Sequence, residues 1–92
     1  MLSALANWID KRREIRKRWQ EDARTLIEHH ERHAYYEAQR LAARSRAQGN
    51  RSEFWHWAKV ASEVARLSPA AEMDMKIVQA IADKEMLEHQ RP

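Results

Sequence analysis

Between residues 2 and 48 the chain contains neither glycine nor proline, the two residues that most often interrupt a regular backbone. The stretch is rich in Ala, Arg, Glu, Leu and Gln, all strong helix formers. Gly49 follows, at the position where a helix commonly ends in a left-handed residue. Asn50-Arg51-Ser52-Glu53 then reads as a capping-box variant, with Asn50 as N-cap and Glu53 at the third helical position. Ser68-Pro69 reads as a further start, with Ser68 as N-cap and Pro69 at the first helical position. These signals predict helices over residues 3–48, 51–67 and 69–88. No segment alternates with the period of a strand, and no Asn-Gly or Asp-Gly hairpin turn is present. The expected architecture is a single all-α domain over residues 1–92: one long N-terminal helix followed by a shorter helical hairpin, forming an oligomeric helical bundle.

A stripe runs along the first predicted helix: Leu5, Trp8, Ile15, Trp19, Ala23, Leu26, His30, Ala34, Leu41 and Ser45. From Trp8 it steps by four and three once the charged members Arg12 and Glu37 are counted. Trp8, Trp19, His30 and Leu41 recur every 11 residues, a period that keeps one face of a nearly straight helix in register. An unbroken rod of this kind would be about 70 Å long, whereas the two following helices end to end reach only about 60 Å. The rod must therefore pair with another chain or break. The best internal start is Thr25-Leu26-Ile27-Glu28, a second capping box, which places a break near residues 22–25. Nothing else there favours a turn, so continuity is the preferred reading.

The second predicted helix gathers Phe54, Trp57, Ala58, Ala61, Val64 and Ala65 on one face and leaves Trp55 off it. The third sets Met73, Ile77, Ala80 and Ile81 on one side and Met75, Val78, Ala82 and Met86 on another, too much apolar surface for one contact. Yet Leu, Ile, Val and Phe together make up only 15 of 92 residues. Low content of this kind points to disorder when net charge is high, but here it is +3, and four Trp, four Met and fifteen Ala restore some burial. The expectation is a thin ordered core that leaves apolar surface for a partner. Trp8, Trp19, Trp55, Met73, Met75 and Met86 are the candidate docking residues. The expected function is that of a small interaction or regulatory protein that binds itself, as a homodimer, or another protein.

A different class of function is suggested by residues 11–18, where Lys11, Arg12, Arg13, Arg16, Lys17 and Arg18 surround Glu14 and Ile15. Such a run can neutralise phosphates on nucleic acid, extended by Arg24 and by Arg40, Arg44 and Arg46, or on an anionic membrane surface. The plainer reading is a solvated helix face. A helix-turn-helix formed by the last two helices is opposed by Glu72, Asp74, Asp83, Glu85 and Glu88, since an acidic recognition helix is repelled by phosphate. The apolar and basic residues of the first nineteen positions also fit a helix lying in a membrane interface, although a Trp stripe at helical spacing more often serves packing.

His29, His30 and His33 cluster in Glu28-His29-His30-Glu31-Arg32-His33. In a helix, His29 and His33 share a face and could chelate zinc. The metalloprotease pattern is not met, because His30 stands where the general-base Glu should be. Solvated histidines are the plainer reading, and no cofactor is expected. With no phosphate loop and no nucleophile motif, the chain is expected to bind rather than catalyse, with no small-molecule substrate. The absence of cysteine excludes disulfides and thiolate metal sites. It fits a reducing, cytoplasmic setting, as does the lack of a signal-peptide pattern or an apolar run long enough to span a bilayer.

Overall fold

A computed structural model describes residues 2–90. Helix α1 spans Leu2–His30, a single 3₁₀ turn covers Glu31–His33, and α2 spans Ala34–Ala47; α3 spans Arg51–Leu67 and α4 spans Met75–Gln90. The described residues contain no strand. The class and order match expectation: a long N-terminal helical segment, then two shorter helices.

The alternative start at Thr25 is not used. Its hydroxyl donates to the Glu21 carbonyl one turn back, at 3.0 Å, so it decorates a continuing helix rather than capping a new one. The continuity expected through residues 22–25 holds, and the helix is interrupted only later, at the 3₁₀ turn. His30 and His33 sit at φ of −120° and −97°, and Glu31 adopts φ of +50°, in the left-handed region. No side chain of the turn is buried, so no packing resists the departure from helix. The turn is secured from outside. The Arg32 carbonyl accepts the Glu72 amide at 2.8 Å, and the Tyr36 hydroxyl accepts the Asp74 amide at 2.9 Å. Arg32 and His33 lie 3.8 and 3.7 Å from the Glu72 carboxylate. The break shortens the molecule to 50 Å along its longest axis, with 34 and 19 Å across.

The strap of residues 68–74 that supplies these contacts also corrects the expected start of the last helix. Ser68 closes α3 instead of opening α4, its amide donating to the Val64 carbonyl at 2.9 Å. Residues 69–74 do not coil: the Glu72 amide is spent on the Arg32 carbonyl of the turn and the Asp74 amide on the Tyr36 hydroxyl of α2. Helix α4 begins at Met75, capped by Asp74, whose Oδ1 accepts the Lys76 amide at 2.9 Å. The α2–α3 turn is as the sequence predicts: Gly49 has φ of +73°, and Asn50 Oδ1 accepts the Glu53 amide at 3.1 Å.

Helix α2 is central. Helices α3 and α4 each pack on it, α3 also packs on α1, and α3 and α4 do not pack on each other. The two shorter helices thus follow one another in the chain but pack on α2 rather than on each other, so the expected hairpin is not closed. The apolar core is small: Ala23, Leu26, Ala34, Ala38, Val60, Ala61, Val64 and Ala71, with Val60 and Val64 its largest fully buried side chains. Trp19, Ile27, Tyr35, Leu41, Trp57 and Leu67 pack against its rim. Helix α4 contributes nothing to it. That helix is held instead by Val78, Ile81 and Ala82, which are half-buried, and by Glu85, which is buried against α2. The Glu85 carboxylate lies 3.6 Å from both Arg40 and Arg44. Arg40 also donates to both oxygens of Glu37. That hydrogen bond holds the Glu37 carboxyl below its ordinary value of 4.5 and raises the guanidinium of Arg40.

Two outcomes follow. If residue 31 is left-handed, Glu31→Gly should be more stable than Glu31→Ala by about 1 kcal/mol in urea unfolding. In an unbroken helix the order would reverse. Because the folded Glu37 carboxyl titrates below its unfolded value, its contribution is complete above pH 4.5 and is lost as pH falls through the folded value. Glu37→Gln should therefore flatten the acid limb of a stability-versus-pH curve and leave its slope near neutrality unchanged.

Candidate interaction surface

Every residue of α1 from 3 to 18 is exposed; Trp19 is the first half-buried side chain and Ala23 the first buried one. At 1.5 Å per residue, these sixteen positions form an arm about 24 Å long outside the core. The arm is not polar all round. Leu5, Trp8, Ile9 and Ile15 occupy the same sector of the helix, about 120° wide at 3.6 residues per turn, as Trp19, Ala23 and Leu26. They are 55%, 55%, 38% and 45% exposed. The stripe read from the sequence holds as one sector from Leu5 to Leu26, of which α3 covers only the C-terminal end; its expected continuation through His30, which is exposed, is interrupted by the 3₁₀ turn.

Helix α3 meets α1 through a short ladder. His56 Nε2 lies 2.7 Å from Asp22 Oδ2, Lys59 Nζ lies 5.8 Å from the Trp19 ring, and Arg16 Nε lies 3.7 Å from Glu63 Oε1. Buried Glu63 also accepts from Arg66 at 2.7 Å. Beyond this ladder an open groove of about 790 Å³ runs between Trp8, Ile9, Ile15 and Trp19 on one side and Lys59 and Glu63 on the other. Arg12 stands within it, its guanidinium 4.6 Å from the Trp8 ring centroid, and so covers part of that ring without removing it from solvent.

The six candidate docking residues do not form one surface. Trp8 and Trp19 share the α1 groove. Trp55, 56% exposed, lines a separate hollow at the α2–α3 turn. Met86 lines a third, with Phe54 and Val78, between α2, α3 and α4. Met73 lies in the strap and Met75 opens α4, both exposed and outside these hollows. Leu5, Ile9 and Ile15, not singled out from the sequence as docking residues, belong to the α1 face with Trp8; their shared helical sector was the available signal. Lys11, Arg12, Arg13, Arg16, Lys17 and Arg18 are all exposed, and among the described residues only Arg16 of these has a carboxylate within 4.0 Å.

The histidines are placed differently from the metal reading. A shared face for His29 and His33 requires an unbroken helix, and the left-handed Glu31 lies between them. His29 Nδ1 donates to the Thr25 carbonyl at 2.8 Å, and His33 turns toward Glu72. Among the described residues no group of three or more His, Cys, Asp or Glu side chains is placed to hold a metal ion. The histidine that bridges two helices is His56, through Asp22. No described helix is long and apolar enough to cross a membrane. No family model, curated protein or solved structure matches the chain.

If the arm lies outside the core, Leu5→Ala and Ile15→Ala should each change the unfolding free energy of dilute protein by less than about 0.5 kcal/mol. Val64→Ala, in the core, should cost about 2 kcal/mol. Equal losses at the three sites would mean that the arm is packed.

Proposed function

We propose that this chain is a helical protein-interaction module, working by binding rather than catalysis, and that its docking element is the exposed half of α1. One observation carries the reading: the sector that is buried at Ala23 and Leu26 continues in phase through half-buried Trp19 to Ile15, Ile9, Trp8 and Leu5, which stay exposed among the described residues. A face that receives α3 at one end is shaped to receive another helix at the other. The proposed partner is a second copy, whose own arm supplies the same face, giving an isologous two-fold pairing.

Charge gives this dimer a distinctive signature. Over residues 3–18 six cations face two acids, Asp10 and Glu14, a net of +4 on each arm. Two such arms repel, so the dimer should tighten as salt screens them. The second reading, an anionic polymer held by Lys11, Arg12, Arg13, Arg16, Lys17 and Arg18, is favoured by the scarcity of carboxylate partners around these cations. It has the opposite signature, because counterion release makes binding weaken steeply with salt.

Light scattering on nucleic-acid-free protein at low and high salt tests both. The expected result is a dimer whose fraction rises with salt and which Trp8→Asp with Ile15→Asp converts to a folded monomer. A monomer at every salt and concentration removes the self-pairing reading. Oligonucleotide binding that falls with salt and vanishes on replacing Arg12, Arg13, Arg16 and Lys17 by Gln would install the other.

A further inference from the structure

The hollow at the α2–α3 turn carries an inference independent of the α1 arm. The turn is tight: the Gly49 amide donates to the Arg46 carbonyl at 3.0 Å, and the Asn50 amide to the Ser45 carbonyl at 2.9 Å. This closure brings Arg46, from the last turn of α2, beside Arg51 and Trp55 of α3, around an open hollow of about 450 Å³. That size is typical of small-ligand sites. The space above Gly49 is open as well, with nothing within 4 Å of where a side chain would stand.

The lining combines two chemistries. Trp55 is 56% exposed and lies off the face that α3 buries, so packing gives no account of it. Its ring is braced edge-on by Phe54, with centroids 5.6 Å apart and planes at 67°, and the Arg46 guanidinium stands 5.9 Å from the Phe54 centroid. Beside this aromatic platform are two cations. Among the described residues neither Arg46 nor Arg51 has a carboxylate within 4.0 Å. Glu53, the nearest acid in sequence, is occupied elsewhere, accepting from Trp57 Nε1 at 3.1 Å. An exposed ring alone would suit any apolar group, and two arginines alone any anion. Together they select a flat aromatic ligand that carries negative charge.

We propose that this hollow binds a nucleoside phosphate, with the base stacked on Trp55 and the phosphate between Arg46 and Arg51. The same chemistry is offered by a free mononucleotide and by one nucleotide of a single strand, where base stacking on an aromatic side chain and guanidinium–phosphate pairing recur. The full-length protein is titrated with AMP, following the Trp55 indole N–H by NMR, and with labelled oligo(dT), following anisotropy. A response to AMP identifies the mononucleotide as sufficient; a response to oligo(dT) alone identifies the strand. In either case Trp55→Ala should weaken binding about tenfold or more, and Trp55→Phe should retain most of it. Arg46→Gln with Arg51→Gln should weaken it comparably and reduce its salt dependence. Arg12→Gln with Arg13→Gln, on the arm and outside the hollow, should leave AMP binding unchanged. The proposal is overturned if neither probe binds the folded wild-type protein. It is also overturned if Trp55→Ala and the Arg46/Arg51 variant, folded by circular dichroism, bind as the wild type does, or if only the arm variant loses binding.

Discussion

The carbonyl of Arg32 accepts the amide of Glu72, and much of the architecture depends on that long-range bond. An intrahelical partner for Arg32 would require the first helix to continue as a rod. The left-handed residue at Glu31 releases it, at a local cost of about 1–2 kcal/mol for a side chain in that region. The released carbonyl and the Tyr36 hydroxyl then capture two amides of the strap between α3 and α4. The chain reverses past α2, Asp74 is placed to cap α4, and Ala71 is delivered to the core. A backbone strain and a set of long-range hydrogen bonds therefore stand or fall together.

This coupling explains which parts of the molecule were legible in its sequence. The turn at Gly49 and Asn50 is local chemistry, a left-handed residue followed by a side-chain cap, and both residues act as their types imply. The break at Glu31 is not local. No glycine or proline marks it, and the residues that stabilise it lie some forty positions away, so a more visible capping box at Thr25 drew attention instead. Ser68-Pro69 misled for the same reason: amides that would have begun a helix there are taken by the Arg32 carbonyl and the Tyr36 hydroxyl. The surface follows the same division. The stripe of α1 was readable from its period, but a period does not say which half of a stripe finds cover. Pairing His29 with His33 failed because it assumed the helix that Glu31 interrupts.

The thin core is compensated at its seams. Alanine at positions 23, 34, 38, 42, 61 and 71 buries little area but lets helix backbones approach closely. Between these helices two glutamates are nearly buried, each clasped by arginine. Glu63 is held by Arg16 of α1 and by Arg66 of its own helix, and Glu85 by Arg40 and Arg44 of α2. A buried ion pair adds little net stability over an apolar pair of similar shape, but a misplaced one is costly. The arginines reach out to solvent, so each clasp contributes modestly and serves chiefly to keep a buried carboxylate partnered.

The absence of α4 from the apolar core has a further consequence. Helices α1, α2 and α3 enclose every member of that core except Ala71, whereas α4 is attached by half-buried side chains, one clasped glutamate and the strap that leads into it. Its separation would leave the alanine–valine centre closed. Opening of a protein proceeds through units of unequal free energy, and a unit with little apolar burial opens at low cost. The amides of α4 should therefore exchange with solvent through a partial opening well below the energy of global unfolding, while those around Val60 and Val64 wait for the whole molecule to come apart.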